Sequence, residues 1–354
     1  MAITQTTAPE RSRPAIPPPI RVRQNVLKLN LNDDILFFFA KAIAVMQTKS
    51  ITIPTSWNYQ AAIHDYQPSA NDIAKRHVVQ ADAATIAANT NPGKIFWRAC
   101  QHQTWYFLPW HRMYISFFER MIMKLVADMK GPLDWALPYW NYSGTSKFSG
   151  FTVAKSSLLP EPFQSKNPLL RDGSPNPLFI PFRTPDANAG NPFLTDSAFL
   201  NLTSINTSTA LGNSSFSVAP GSIINSFGGV ETKFNHFNED PAAAAGLLER
   251  TPHGNIHSRT GPGPDRFMGN FTRAPLDPIF WLHHCNIDRL WEVWRGQPGH
   301  ADPPQWANPK KPDPVSFFFH DQDGSEQQMN ASQVMDTKVA PLRYEYDDTT
   351  VPLT

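Results

Sequence analysis

Cysteine is nearly absent. Only Cys100 and Cys285 occur in 354 residues, which excludes a disulfide framework. An excess of one charge is missing too: 31 Lys and Arg face 30 Asp and Glu, a formal net charge of +1. That balance carries neither the electrostatic footprint of a nucleic-acid binder nor a polybasic membrane signal, so a small-molecule partner is expected. The longest apolar run, "ILFFFAKAIAVM", is too short to span a bilayer and contains Lys41. The N-terminal "MAITQTTAPERSRPAIPPPI" has no apolar h-region and no adjacent arginine pair, so neither common export signal is visible and a cytoplasmic protein is expected.

Proline, in contrast, is abundant, with 34 residues spread over the whole chain, which points to many ordered loops. Residues 1–19 read as a proline-rich flexible arm and residues 20–354 as a single domain. Asn32 or Asp33 is placed to cap a first core helix over "DILFFFAKAIAVMQTKS". A shorter helical pattern, "SWNYQAAIHDYQ", carries His64, and the longest helix is expected from about Pro109 to Met129. From about 145 to 235 no period dominates, which predicts loops with at most a short hairpin. Helical character returns in "DPAAAAGLLERTPHGNIH", and Asp277-Pro278 forms a cap and first-turn pair for "DPIFWLHHCNIDRLW". Beyond Gly299 the chain reads as irregular, ending in strand-like "PLRYEYDD".

Eleven histidines are present, and two groups of three stand out on or beside predicted helices: His64, His102 and His111, then His253, His257 and one of His283 or His284. Neutral imidazoles without clustered thiolates or a bridging carboxylate suit copper or zinc. His253 and His257 are four apart and share a helical face. Successive helical positions diverge by about 100°, so His283 and His284 are not expected to aim at the same ion. His77, His236, His300 and His320 read as surface or hydrogen-bonded core residues.

The segments "CQHQTWYFLPWHRMYISFFE" (100–119), "LPYWNY" (137–142), "PHGNIHSRTG" (252–261), "MGNFTRAPLDPIFWLHHCNIDRLW" (268–291) and the final "YEY" (344–346) resemble the type-3 dicopper family of tyrosinases, catechol oxidases and haemocyanins. The resemblance implies a mainly α fold. Its centre would be an antiparallel four-helix bundle holding the metals, with long irregular loops and few short strands. Copper A would be bound by His64, His102 and His111, and copper B by His253, His257 and His284, the second histidine of the pair. Phe280, one turn before His284, would pack against its ring. His283 would point to the rim as a substrate-side group, and Asn286 and Asp288 would support the ligands, Asp288 by orienting an imidazole.

Cys100 and His102 match the spacing at which some relatives form a thioether. Glu249, four residues before His253, matches a glutamate proposed to hold a proton-accepting water; the partner position is Gly254 where asparagine is found in that pattern. Phe271 matches a gate residue over copper A, and Ser258 would be a neutral rim residue. The implied activity is oxidation of o-diphenols to o-quinones with O2 as co-substrate and two copper ions per chain, with weaker monophenol hydroxylation. An o-aminophenol oxidase and a haemocyanin-like oxygen carrier are the alternatives. The expected partners are a small phenol and O2, with no nucleic acid and no membrane; a homo-oligomer is left open. The chain stops soon after "YEY", so the family's C-terminal shielding domain is expected to be missing. Arg21 or Arg23 is placed to pair with Tyr344 or Tyr346 and tie the two ends together.

Overall fold

The computed structural model describes residues 19–142, 158–194, 205–236, 239–263, 265–307 and 314–352. The proline-rich arm lies outside these apart from its last residue, as do parts of the expected 145–235 loop region. Among the described residues the fold is mainly helical with a few short strands. No helix among the described residues is long and apolar enough to cross a membrane.

Five helices position the site. Helix α1, Asp34–Gln47, starts at Asp33 and buries Leu36, Phe39, Ala40, Ile43 and Met46. The Asp33 carboxylate turns back to the backbone N–H and side-chain amide of Asn30 and leaves the first turn uncapped. Helix α2, Trp57–His64, is capped by Ser56, whose Oγ accepts from the Tyr59 N–H at 3.1 Å, and it ends on His64. Helix α3, Phe107–Asp128, begins two residues before the expected Pro109, which sits in the first turn where its missing N–H costs nothing. Helix α4, Asn255–Thr260, supplies His257, and helix α5, Pro278–Arg295, supplies His283 and His284. Asp277 caps α5 through the Ile279 N–H at 3.0 Å, as the Asp-Pro pair implies.

One predicted helix is broken. Within 240–257 the first residues form turns, and Glu249–Gly254 is a wide helical turn in which Thr251 leaves helical geometry (φ −142°, ψ 120°). Pro252 explains the break, because proline disfavours helical geometry in the residue before it. Gly246 is pressed against the Phe227–Gly229 backbone, where a Cβ would come within 2.4 Å of the Phe227 carbonyl oxygen.

Strand β1, Arg21–Arg23, strand β2, Phe317–His320, strand β3, Glu326–Met329, and strand β4, Tyr344–Tyr346, complete the frame. β2 and β3 form an antiparallel hairpin in a stretch read as irregular. The short strands Ser217–Val218 and Gly229–Val230 pair in parallel, so this pair is not a hairpin. β1 pairs in parallel with β4, with Arg21 opposite Tyr344 and Arg23 opposite Tyr346.

Helix α3 packs on both α1 and α5. At one end of the contact the Trp281 ring stacks on Phe118, with centroids 3.5 Å apart and planes at 10°. At the other end lies a buried ionic knot. Asp288 accepts from Arg112 Nε at 2.5 Å, from the Tyr344 and Tyr346 hydroxyls at 2.6 and 2.5 Å, and from Arg23 at 3.3 Å. Arg23 also forks onto Glu119 at 3.1 and 2.9 Å and lies 3.5 Å from the centre of the Tyr344 ring. The expected tie between chain ends is thus made by Arg23. Asp288 does not orient an imidazole: it lies one turn beyond His284, where α5 meets α3 and β4, and its bonds are taken by arginines and tyrosines. Burial alone would raise the Asp288 carboxyl, yet Arg112, Arg23 and the two hydroxyls hold it below the usual range.

Breaking this knot removes the buried anion that Arg112 and Arg23 share and leaves them only Glu292 and Glu119. Asp288→Asn is expected to cost about 3–5 kcal/mol in denaturant unfolding. Lys124→Gln, which removes an exposed pair with Asp128, is expected to cost about 0.5 kcal/mol or less. A carboxyl held low in the folded state stabilises above its unfolded pKa, so this contribution should fade as pH falls below about 4 and be absent from the Asn variant at every pH. Equal losses in the two variants would contradict the assignment.

Candidate metal centre

The predicted histidines converge. His64 ends α2, His102 lies in the loop before α3, His111 is on α3, His253 is in the wide turn, His257 is on α4, and His283 and His284 are on α5. The ligand nitrogens of His253, His257, His283 and His284 all lie within 4.8 Å of one another, as do the ligand atoms of His64, Cys100 and His102. His111 falls outside the second grouping at that distance, but its ring centre is 5.1 Å from His102 and 5.8 Å from His64. It also stacks on His284, with centres 4.4 Å apart and planes at 7°, so the two groups touch. Neither group contains a carboxylate.

Hydrogen bonding fixes which nitrogen faces inward in five of the rings, while neither ring nitrogen of His284 has a partner. The Nδ1–H of His64 donates to the Phe271 carbonyl at 3.1 Å, that of His111 to Phe107 at 2.8 Å, that of His253 to Glu249 at 3.0 Å and that of His257 to Met268 at 2.6 Å. His102 donates to the Glu249 carboxylate at 3.0 Å. In all five rings Nε2 is left to the interior. The Nε2 atoms of His111, His253 and His284 are buried with no hydrogen-bond partner, and those of His64 and His102 face each other at 3.4 Å. Lone pairs so arranged repel and lack any polar partner, which is costly for buried groups. A metal cation among them removes both penalties, so the donor set fits copper. Burial pushes every one of these imidazoles down, His102 to about 3 and His257 to about 4, and so keeps the rings neutral as ligands must be.

His283 departs from expectation. It is fully buried and does not reach a rim: its Nδ1 meets the Tyr142 hydroxyl at 2.8 Å, and its Nε2 has no partner. It stacks on His253, with centres 5.3 Å apart and planes at 20°. Both adjacent helical residues reach the same pair of rings: His253 and His257 come from other elements, and each lies 4.9–5.6 Å between ring centres from both His283 and His284. Only His284 also stacks on His111, and Phe280 packs on it at 4.3 Å between centres. Asn286 accepts from Arg289 at 2.9 Å and bonds Tyr142, which in turn meets His283. Neither Tyr142 nor Asn286 carried a signal tying it to His283.

Glu249 is likewise placed differently. It is buried, and besides His102 it accepts from the Gln103 backbone N–H at 2.9 and 3.0 Å. Burial raises its carboxyl to about 8 against the pull of Gln103 and Arg250. It faces the outer side of His102 and does not line the cavity, so the role of holding a water for the substrate is not the one its contacts give it.

That cavity, about 210 Å³, is bounded by His64, His102, His253, His257 and Phe271, with Gly254 and Ser258 on its wall. Phe271 is 38% exposed, stacks on His64 at 5.9 Å and meets His102 edge-on at 4.9 Å, which places it over the first group. Ser258 Oγ donates to the Gly254 carbonyl at 2.9 Å. Cys100 is a buried free thiol, and Cys285 is a free and buried core residue. The unforeseen neighbour of Cys100 is His236, whose Nδ1 lies 3.3 Å from the Cys100 sulfur and whose Nε2 is 3.3 Å from Asp65.

The family model of the common central domain of tyrosinase matches residues 54–297. Tyrosinase HcTyr1 of Hahella sp. (strain CCB-MM4) is 36% identical over 334 residues, covering 92% of this chain and 63% of the relative. The chloroplastic (+)-larreatricin hydroxylase of Larrea tridentata is 28% identical over 268 residues, covering 71% of this chain and 39% of the relative. Thus the chain spans between two-fifths and two-thirds of the length of these proteins. Among solved structures, latent apple tyrosinase superposes with a TM-score of 0.66 at 22% identity, over 94% of this chain and 64% of that one, a likeness of fold. The family match covers well over half of the chain and contains all six histidines of the two expected groups, and the chain belongs to the tyrosinase family of type-3 dicopper proteins.

Proposed function

We propose that this chain is a polyphenol oxidase that converts o-diphenols to o-quinones with O2, using two copper ions. His64, His102 and His111 would hold one, and His253, His257 and His284 the other, in a bundle formed by α2, α3, α4 and α5. Copper bound there supplies the two-electron exchange with O2 that the imidazoles alone cannot perform. The observation that carries this reading is the convergence of buried Nε2 atoms without a partner, those of His111 and His253 on rings pinned at Nδ1 and that of His284 on the ring stacked against His111.

The remaining residues select the substrate. A cavity of about 210 Å³ accommodates a single aromatic ring, with Phe271 stacked over the copper A side to limit its depth. Hydroxylating a monophenol requires removing a proton with a pKa of about 10, which needs a base within reach. Among the described residues no carboxylate or lysine lines the cavity, and Glu249 is engaged with His102 and Gln103. Diphenol oxidation is therefore favoured. Glu249 serves as a positioning residue that holds the His102 ring and its tautomer.

A catechol should turn over faster than its matching monophenol by on the order of 10²-fold, the contribution a positioned base would otherwise make. Comparable rates after a short lag would contradict this. Glu249→Gln should lower retained copper and slow both substrates together; a loss confined to the monophenol, with copper unchanged, would make Glu249 the proton acceptor. We also propose a thioether between Cys100 and His102, supported by the approach of the sulfur to that ring. The denatured copper-loaded protein should then weigh two hydrogen atoms less than its sequence and expose one alkylatable cysteine. Full mass with both cysteines alkylated would rule the bond out.

A further inference from the structure

We propose that a second cavity, on the far side of Phe271, is a subsite for the substrate's side chain and favours a protonated amine. The proposal rests on the reading of the first cavity as the phenol site. That cavity, at about 210 Å³, lies below the range of about 300–1,000 Å³ usual for ligand pockets, so a ring fills it and any long substituent must leave it. Gly269, Asn270 and Phe271 line both it and a neighbouring cavity of about 540 Å³. A substituent crossing that shared wall enters the second cavity directly.

The second cavity is polar where the first is apolar. Asp65, Glu239, Arg98 and His236 line it, one carboxylate more than guanidinium. Asp65 is only 6% exposed. Its Oδ2 accepts from the Thr272 hydroxyl at 2.9 Å, but its Oδ1 has no hydrogen-bond partner. His236 Nε2 at 3.3 Å and Arg98 Nε at 3.6 Å face Asp65 Oδ1 without completing a bond. A buried carboxylate oxygen left in that state gains most from a new cationic donor. The Arg98 side chain, 41% exposed, donates to the Gln67 side-chain oxygen and is not committed to Asp65, 3.6 Å away. A carboxylate-bearing substrate would meet Asp65 and Glu239 and be repelled, and an uncharged one would leave Asp65 Oδ1 unmet.

The test compares kcat/KM for dopamine, 4-methylcatechol and 3,4-dihydroxyphenylacetate on the copper-loaded protein. The expected order is ammonium, neutral, then acid. Asp65→Asn should reduce the dopamine to 4-methylcatechol ratio by about tenfold, and Arg98→Gln should raise it several-fold, so the two variants move in opposite directions. Because Asp65 is buried and its variant could fail to fold, Arg98→Gln alone suffices: a ratio unchanged or lowered there overturns the subsite, as does a wild-type preference for the acid. Calorimetric titration of the copper-free protein with tyramine and p-cresol separates the two readings. Tighter binding of tyramine supports the subsite even if no catechol is oxidised, an outcome that would sink only the oxidase assignment; equal binding overturns the subsite.

Discussion

The structure is organised around imidazole nitrogens that have nothing to bond. Burying a neutral ring with a free lone pair is unfavourable, and here it is done repeatedly in one place, with Nε2 of His111, His253 and His284 all unpartnered. The opposite edge of most of these rings is bound to a backbone carbonyl, so the arrangement is directed and not a packing accident. This requirement explains why the loop through Met268 and Phe271, the wide turn at Glu249 and the first turn of α3 approach the site: each supplies an oxygen to the outer edge of a histidine.

Register between α3 and α5 decides whether the two histidine groups meet. Arg112 follows His111 directly and Asp288 lies four residues after His284, so the bond between Arg112 and Asp288 locks the helices one short step from the point where His111 stacks on His284. Arg23 and the tyrosines of β4 complete the same knot, which carries the influence of both described ends of the chain to the site. The stability of this knot and the geometry of the metal site are therefore one property of the fold.

Local signals made much of this legible. The spacing of His253 and His257, the Asp277-Pro278 cap, the uninterrupted run of α3 and the packing of Phe280 on His284 all depend on residues within a turn or two of each other, and the structure has them as read. What was misread depends on tertiary partners. Asp288 and Glu249 are carboxylates near histidines in sequence, but which side of its helix or turn each occupies, and whether an arginine or an imidazole waits there, is set by distant segments at Arg23 and Gln103. The rim position that the resemblance implies for His283, and the expectation that adjacent helical positions do not aim at one place, both fail because His253 and His257 come from separate elements and close on both rings of the pair. His236, which read as an ordinary histidine, gains its place beside Cys100 only because the chain near 236 folds across the loop at 100.

The most direct test is copper stoichiometry by metal analysis after reconstitution and removal of loosely bound ion. The account requires two coppers per chain in the wild type and retention of about one in His257→Ala, because only the second histidine group is breached. One copper in the wild type, or full retention of both in the variant, would contradict it.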